Sequence, residues 1–189
     1  MSGAEKMSVY DVPTERACFG LLEKYQTPHH IVLHSQKVCD VAKVVAESLV
    51  LKDVVLDVSL VTASSLLHDI GKYPCIVDGK GYHDARGEQI LQHEGFPAVA
   101  RIVGQHVILK VDPANGLHEE HVVYYADKRV VHDQLVSLDE RFVYLQDTYG
   151  KTSEAVKRLM AMKMETIRLE QTIFRHLDFH PEDVIGLLE

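Results

Sequence analysis

LLHDIGK, residues 66–72, joins an apolar helical run to a glycine through a histidine and an aspartate that stand side by side. The apolar residues before His68 predict a helix, and Gly71 predicts that the backbone turns away just after it. A neutral imidazole beside a carboxylate suits Mn, Fe, Co, Ni or Zn, and an aspartate can also bridge two ions. Because such a pair also arises by chance, His68 and Asp69 indicate a metal site only if further ligands occur elsewhere in the chain.

The composition is that of one globular domain. The chain has 189 residues, 46% of them hydrophobic and 25% charged, which predicts a single domain over residues 1–189. A formal net charge of −8 argues against a nucleic-acid partner, because binding to a phosphate backbone needs clustered lysine and arginine. No apolar run approaches the roughly 20 residues of a membrane span, and Met1 to Tyr10 lack the features of a signal peptide. The predicted location is therefore the cytoplasm, with no membrane partner.

Two residue types stand out by their number or spacing. The three cysteines, Cys18, Cys39 and Cys75, lack a CxxC pairing and are predicted to be reduced structural thiols. Twelve histidines in one chain are an unusual excess. This excess requires an explanation beyond packing.

Apolar residues recur at helical spacing along most of the chain, so we expect an all-α helical bundle. A loop is predicted between residues 73 and 81, which are rich in proline, glycine and aspartate, and no continuous strand pattern is present. Capping residues and periodicity predict helices over residues 14–25, 28–49, 56–67, 83–95, 97 to His106, 119–130, 137–149 and 152–177.

Two polar residues interrupt these apolar faces. His34 lies four residues before Val38 on the apolar stripe of the second helix, where a lone histidine is usually a core residue bonded to a carbonyl. Asp127 lies within another helical pattern, where an unpaired aspartate would be costly. The simple alternative for Asp127 is a surface salt bridge with Lys128 or Arg129.

The order of these residues resembles that of a known family. His34, the pair His68-Asp69 and Asp127 follow one another as H…HD…D on three predicted helices. This order resembles the HD superfamily of metal-dependent phosphohydrolases. The local contexts agree, namely LLHDIGK, HSQKV from residue 34 and YADK from residue 125.

The resemblance also divides the chain. It covers about residues 34–127 and implies a compact all-α bundle of the HD type, with the HD core at about residues 28–130. A C-terminal helical extension follows at about residues 137–189, within the same single domain. We expect this extension to serve packing or the formation of a homodimer.

Two further histidines extend the resemblance to the HD proteins that bind two metals. His83 stands at the start of the helix after the HD pair and His106 precedes the last aspartate, which gives the order H…HD…H…H…D. The resemblance implies two divalent ions, drawn from Fe, Mn, Co, Ni, Zn and Mg. The implied ligands are His34, His68, Asp69 and Asp127 for the first ion and His83 and His106 for the second, with Asp69 bridging both.

Three basic residues are candidates for binding a substrate phosphate. Lys72 follows the HD pair and would contact the phosphate, as the lysine of this motif does in related proteins, although a solvated lysine at a helix end is the simple alternative. Arg86, in the helix after the motif, and Arg129, close to the last aspartate, are further candidates. The implied catalytic residues are Asp69 and Lys72.

The leading hypothesis is a metal-dependent phosphohydrolase that acts on a nucleotide or another small phosphate ester through a metal-activated water. The symmetrical dinucleoside tetraphosphate hydrolases resemble this chain in size and ligand order, which makes a dinucleoside polyphosphate one candidate substrate. Two alternatives remain open, an HD-type di-iron oxygenase and a nucleotide-binding regulatory module. The sequence contains no Gly-x-Ser-x-Gly elbow, P-loop or Cys-His signature that would indicate a different catalytic mechanism.

Overall fold

The computed structural model describes residues 11–188, and the regular structure in that range is almost entirely helical. The predicted all-α bundle is confirmed; the prediction about Met1 to Tyr10 lies outside the described residues. Within the described range the strands form a single two-residue hairpin, Val130–Val131 with Gln134–Leu135. None of the helices there is both long enough and apolar enough to cross a membrane. The α-helices are α1 Glu15–Lys24, α2 His29–Val50, α3 Val58–Leu67, α4 Lys72–Asp78, α5 His83–His93, α6 Pro97–Val103, α7 Glu119–Lys128, α8 Leu138–Tyr149 and α9 Ser153–Phe174.

Helices α2, α3 and α7 pack against one another in the core. One face of α2 buries Val38, Val41 and Val45, which recur at the spacing of a core-facing stripe. Helix α3 is buried without interruption from Leu60 to Leu67. The Asp57 carboxylate caps α3 by accepting two backbone N–H groups of the first turn. The chain therefore leaves α3 inside the core, where the HD pair follows.

The loop predicted between residues 73 and 81 is wrong, because most of that stretch belongs to α4, Lys72–Asp78. Pro74 lies in the first turn of the helix, where its missing N–H breaks no helical hydrogen bond. Gly79 ends the helix with φ +65°, a left-handed conformation that favours glycine. Proline and glycine here lie near the two ends of a short helix.

Two predicted helix ends lie three residues beyond the ends in the structure. Helix α6 stops at Val103, before the weak helix former Gly104, so His106 follows the helix instead of lying in it. Helix α9 stops at Phe174, and Leu177 packs against the core from the turn that follows. Tertiary packing therefore overrides the helical spacing that extends to Leu177.

The C-terminal extension contributes to the apolar core. Ser137 and Glu140 form the predicted capping box at the start of α8. Leu169 of α9 is buried in the same apolar cluster as the residues of α3 and α7. Met160 and Met164 of α9 are more than half exposed. Packing is thus one role of the extension, and homodimer formation stays a prediction.

Candidate metal centre

The His-Asp pair lies in the turn that follows α3. The N–H of Lys72 closes this turn by donating to the carbonyl of Asp69. The exposed fraction is 0% for His68 and 1% for Asp69. A carboxylate buried this deeply requires a positive partner, because an unpaired buried charge is energetically costly.

One cluster of potential ligand atoms comes from three separate elements. His34 of α2, His68 of the turn and Asp127 of α7 are all buried, and their ligand atoms lie within 4.8 Å of one another. Nε2 of His34 is 3.2 Å from Oδ1 of Asp127, and Nε2 of His68 is 3.7 Å from the same oxygen. The polar residues that interrupted the apolar faces of α2 and α7 therefore meet at the HD pair.

A second cluster joins Asp69 to His83 of α5 and His106 after α6. Nε2 of each histidine lies 3.5 Å from Oδ1 of Asp69, and the two Nε2 atoms are 3.1 Å apart. His106 is buried and His83 is partly exposed. This cluster is therefore the more accessible of the two.

The Asp69 carboxylate lies between the two clusters. Its Oδ1 faces His83 and His106, whereas its Oδ2 is 3.3 Å from Nε2 of His68 and 3.8 Å from Nε2 of His34. The structure thus brings together all six residues that were predicted as ligands. The Asp69 carboxylate therefore faces the histidines of both clusters.

Hydrogen bonds at Nδ1 determine the protonation of three of these histidines. The Nδ1–H groups of His34, His68 and His106 each donate to a backbone carbonyl at 2.7 Å. Because a carbonyl oxygen only accepts, Nε2 is the nitrogen that carries the free lone pair in each neutral ring. All three rings therefore present a lone pair to the cluster.

His68 provides a direct test of whether a metal ion fits. Its Nε2 is fully buried and has no hydrogen-bond partner among residues 11–188. It faces the carboxylates of Asp69 and Asp127 at 3.3 Å and 3.7 Å, which also offer lone pairs and no proton. Lone pairs that face one another in a dry interior are stabilised by a cation between them. The imidazole and carboxylate donors fit a divalent transition metal.

Two glycines allow α5 to pack directly on the HD turn. A Cβ atom on Gly71 would lie 2.1 Å from the carbonyl oxygen of His83 and 2.6 Å from the nitrogen of Gly87. A Cβ atom on Gly87 would lie 2.8 Å from Cγ1 of Val103. These distances leave no space for a side chain. The close approach of α5 brings His83 to Asp69.

The charges around the carboxylates keep them ionised. Burial alone would raise the pKa of the Asp69 carboxyl, but the neighbouring Lys72 ammonium helps to hold it well below its usual range. Burial would likewise raise the pKa of Asp127, and Lys128 and Arg141 hold it well below that range.

The environment of His83 also favours the loss of a proton. Burial lowers the pKa of His83 to about 4. His83 is therefore neutral at pH 7, which is the protonation state that a metal ion requires of an imidazole ligand.

The clusters open onto a cleft of about 630 Å³ that Asp69, His83, His106 and Asp127 help to line. This volume lies in the range of sites for small molecules. Four cationic side chains also line the cleft, namely Lys72, Lys80, Lys128 and Arg141. The ammonium of Lys72 is 2.6 Å from Oδ2 of Asp69. The lining therefore combines potential metal ligands with groups that bind anions.

Of the three predicted phosphate-binding residues, the structure brings Lys72 alone to this cleft. Arg86 pairs with Asp78 at 2.8 Å on an exposed surface. Arg129 is buried elsewhere, where its Nε donates to the carbonyl of Val136 at 2.7 Å and its Nη1 lies 3.4 Å from Glu170. Neither arginine is placed to contact a ligand in the cleft.

Sequence reasoning missed three cleft cations, Lys80, Lys128 and Arg141. The Nζ of Lys128 lies 2.6 Å from Oδ2 of Asp127 and donates to the carbonyl of His106 at 3.0 Å. Lys128 directly follows Asp127, so its position in the sequence was a usable signal. Arg141 comes from α8 and lies 3.2 Å from Oδ1 of Asp127, a contact that no sequence spacing indicated.

The comparisons with known proteins assign the family. The model of the HD domain matches residues 31–130, more than half of the chain, and the chain belongs to this superfamily of metal-dependent phosphohydrolases. A curated relative is the tRNA (cytidine(56)-2'-O)-methyltransferase of Thermoplasma volcanium, 32% identical over 154 residues. The match covers 74% of this chain but 42% of that relative, so the chain spans less than half of its length. No solved structure matches the chain.

Proposed function

We propose that this protein is a metal-dependent phosphohydrolase that acts on a small phosphate ester, such as a nucleotide. The observation that carries the proposal is the position of Asp69, whose two oxygens face different sets of histidines. A carboxylate in this position is suited to bridge two ions. The proposed ligands are His34, His68 and Asp127 on one side and His83 and His106 on the other, with Asp69 shared.

When bound, two divalent ions would supply an activated water and neutralise charge on the phosphoryl oxygens. The protein's own contribution is preorganisation. The Nδ1 hydrogen bonds hold His34, His68 and His106 with their Nε2 lone pairs toward the cluster before any ion binds. The HD turn holds Asp69 between the two sets of histidines, so little rearrangement is needed on binding.

Lys72 is suited to contact the phosphate because its side chain is 35% exposed and lines the cleft beside Asp69. In the hydrolysis, the oxygen of water forms a bond to phosphorus and the P–O bond to the alcohol breaks. The alcohol leaves with one proton of the water, and the other proton stays on the phosphate. The Lys72 ammonium would stabilise the negative charge that builds on the phosphoryl oxygens.

Methyl transfer is not part of this proposal. The relative from Thermoplasma volcanium is named as a tRNA methyltransferase, but the chain matches only 42% of its length. A net charge of −8 also disfavours the long phosphate backbone of an RNA. The lining of the cleft instead favours a small anion.

The experiment that tests the proposal measures, with manganese, the hydrolysis of nucleotides and simple phosphate esters by phosphate release and that of dinucleoside polyphosphates by the nucleotides formed. The wild type should turn over at least one class, and Asp69→Ala should lose that activity. Asp147→Ala, which removes an exposed carboxylate on α8, serves as the control and should retain it.

Three results would reject the proposal. Turnover in Asp69→Ala equal to that of the wild type would show that the activity does not depend on Asp69. Iron-dependent oxygen consumption without phosphate release would favour the oxygenase. Tight binding of a nucleotide without turnover in the metal-loaded protein would favour the regulatory module.

A further inference from the structure

Helix α8 lies outside the matched HD segment, yet it contributes one continuous face to the cleft. Arg141, Leu145 and Tyr149 follow one another at four-residue intervals, and all three line the cleft. Arg141 and Leu145 are 9% exposed, whereas Tyr149 is 59% exposed. The face therefore runs from a buried cation beside Asp127 to an aromatic ring near the solvent.

Arg141 has too few acceptors for a buried arginine. Its guanidinium offers five N–H donors. Within the described residues, the one acceptor that it reaches is Oδ1 of Asp127, at 3.2 Å, and its Nε is buried without a partner. Arg129 is equally buried but donates to Val136, Tyr125 and Pro181. Of these two buried arginines, Arg141 therefore has the fewer hydrogen-bond partners.

The charge balance around Arg141 favours an anion. The single Asp127 carboxylate is shared by the Lys128 ammonium at 2.6 Å and by Arg141. Two buried cations against one carboxylate leave a net positive charge in a dry environment, which is costly unless an anion joins them. The planar guanidinium binds phosphate through two parallel hydrogen bonds, which a lysine ammonium does not provide.

The remainder of the α8 face is apolar. Leu145 lies one helical turn from Arg141 and Tyr149 two turns away, a separation of about 12 Å at 1.5 Å per residue. Leu159 and Met162 of α9 and Ile76 of α4 also line the cleft. These side chains give this part of the cleft an apolar lining, which suits an apolar or aromatic group.

We propose that α8 determines the substrate: Arg141 binds the phosphate, and Leu145 and Tyr149 contact an apolar or aromatic organic part of the ester. The proposal rests on the phosphohydrolase function above and makes it more specific. It excludes small polar esters such as glycerol 2-phosphate as good substrates. It also makes Arg141 a substrate-binding residue supplied by the C-terminal extension.

The first test measures binding without turnover. Phenylphosphonate and methylphosphonate, which share an anionic group but differ in the aromatic ring, are titrated by calorimetry into the manganese-loaded protein. Phenylphosphonate should bind about 3- to 10-fold more tightly to the wild type. Tyr149→Ala should bind the two phosphonates with equal affinity, whereas Val143→Ala, on an exposed part of α8, should keep the wild-type difference in affinity.

The second test concerns Arg141. Arg141→Met should weaken the binding of both phosphonates about 10- to 100-fold and raise the KM for p-nitrophenyl phosphate similarly, because a charged hydrogen bond is lost. Arg141→Lys should recover part of the affinity, since it keeps the charge but not the planar group. Arg158→Met removes an exposed arginine of α9 and should change neither quantity.

Metal content, measured on the same samples, separates substrate binding from a purely structural role. If Arg141 only supports Asp127, Arg141→Met should lose bound manganese and kcat while KM stays constant, and the proposal is then wrong. Unchanged phosphonate affinity in folded Arg141→Met, or equal wild-type affinity for both phosphonates, would also overturn it. Phosphonate binding with the predicted pattern but no hydrolysis of any ester would reject the phosphohydrolase function and retain the role of α8.

Discussion

Replacing Asp69 with asparagine should remove most of the thermal stabilisation that manganese gives this protein. The substitution keeps the size of the side chain but removes its charge, so the packing of a residue that is 1% exposed changes little. Both clusters lose a ligand at once, because one carboxylate faces the histidines of each.

The size of the effect follows from mass action. A ligand at 100 times its Kd stabilises the folded state by about 2.7 kcal/mol. For a chain of this length that corresponds to a rise in Tm of roughly 5–11 °C. Loss of the shared ligand should weaken binding at least as much as loss of an outer hydrogen-bond partner, about 100-fold. The remaining stabilisation is then about 0.4 kcal/mol, or a shift of ~1 °C.

The assay is thermal unfolding followed by circular dichroism, with and without manganese, after removal of metal by a chelator. Asp147→Asn makes the same chemical change on an exposed part of α8 and should keep the full shift. A manganese shift in Asp69→Asn as large as that of the wild type would refute the role of Asp69. Equal manganese stoichiometry in the two proteins would lead to the same conclusion.

Three further substitutions test other parts of the structure. Arg129→Met should lower the free energy of unfolding by about 2–4 kcal/mol in urea titrations, because Glu170 and the carbonyls of Val136 and Pro181 lose a buried partner. A rise in KM would instead show that Arg129 contacts the substrate. Gly71→Ala should lower the free energy of unfolding by about 3 kcal/mol in the same assay and should also lower the affinity for manganese, because the new Cβ atom displaces the start of α5. A variant as stable as the wild type would contradict the close packing of α5. Hydrogen bonds from Lys24 and, to a smaller extent, from Tyr25 hold the pKa of Glu94 below its ordinary 4.5. The contribution of Glu94 to the free energy of unfolding is therefore fully present above pH 4.5 and is lost as the pH falls through the lowered pKa. Glu94→Gln should therefore lower stability by no more than about 1 kcal/mol at pH 7, because Lys24 is 58% exposed, and by less at pH 3. An equal loss at both pH values would contradict the ion pair.

The residues of the candidate centre were predictable because their chemistry constrains both their type and their order. His34 and Asp127 interrupt apolar helical faces, and such positions are costly unless the side chains have a partner. The order of the histidines and aspartates then resembled the HD family, which the family match supports. The structure adds the orientation of Asp69 between the two clusters, which sequence order does not contain.

The remaining features depend on packing between distant segments. Helix α4 was missed because Pro74 and Gly79 are typical of loops when their positions relative to a helix are unknown. Arg129 and Lys128 are adjacent basic residues, and only the structure shows that Lys128 lines the cleft while Arg129 bonds to Val136 and Pro181. Arg141 reaches Asp127 from α8, which packs on α9 and on the strand Val130–Val131, and no sequence spacing indicates that packing.

The distribution of charge gives this cleft a means of selecting ligands by length. The chain as a whole carries −8, yet four cations and two carboxylates line the cleft, so the rest of the molecule is more negative than the total. Electrostatic interactions extend only about 8 Å at physiological salt. A short anion that enters the cleft is therefore attracted by nearby cations and shielded from the acidic exterior. A polymeric anion such as a nucleic acid would extend across that exterior and be repelled, so these charges favour a short anion over a long one.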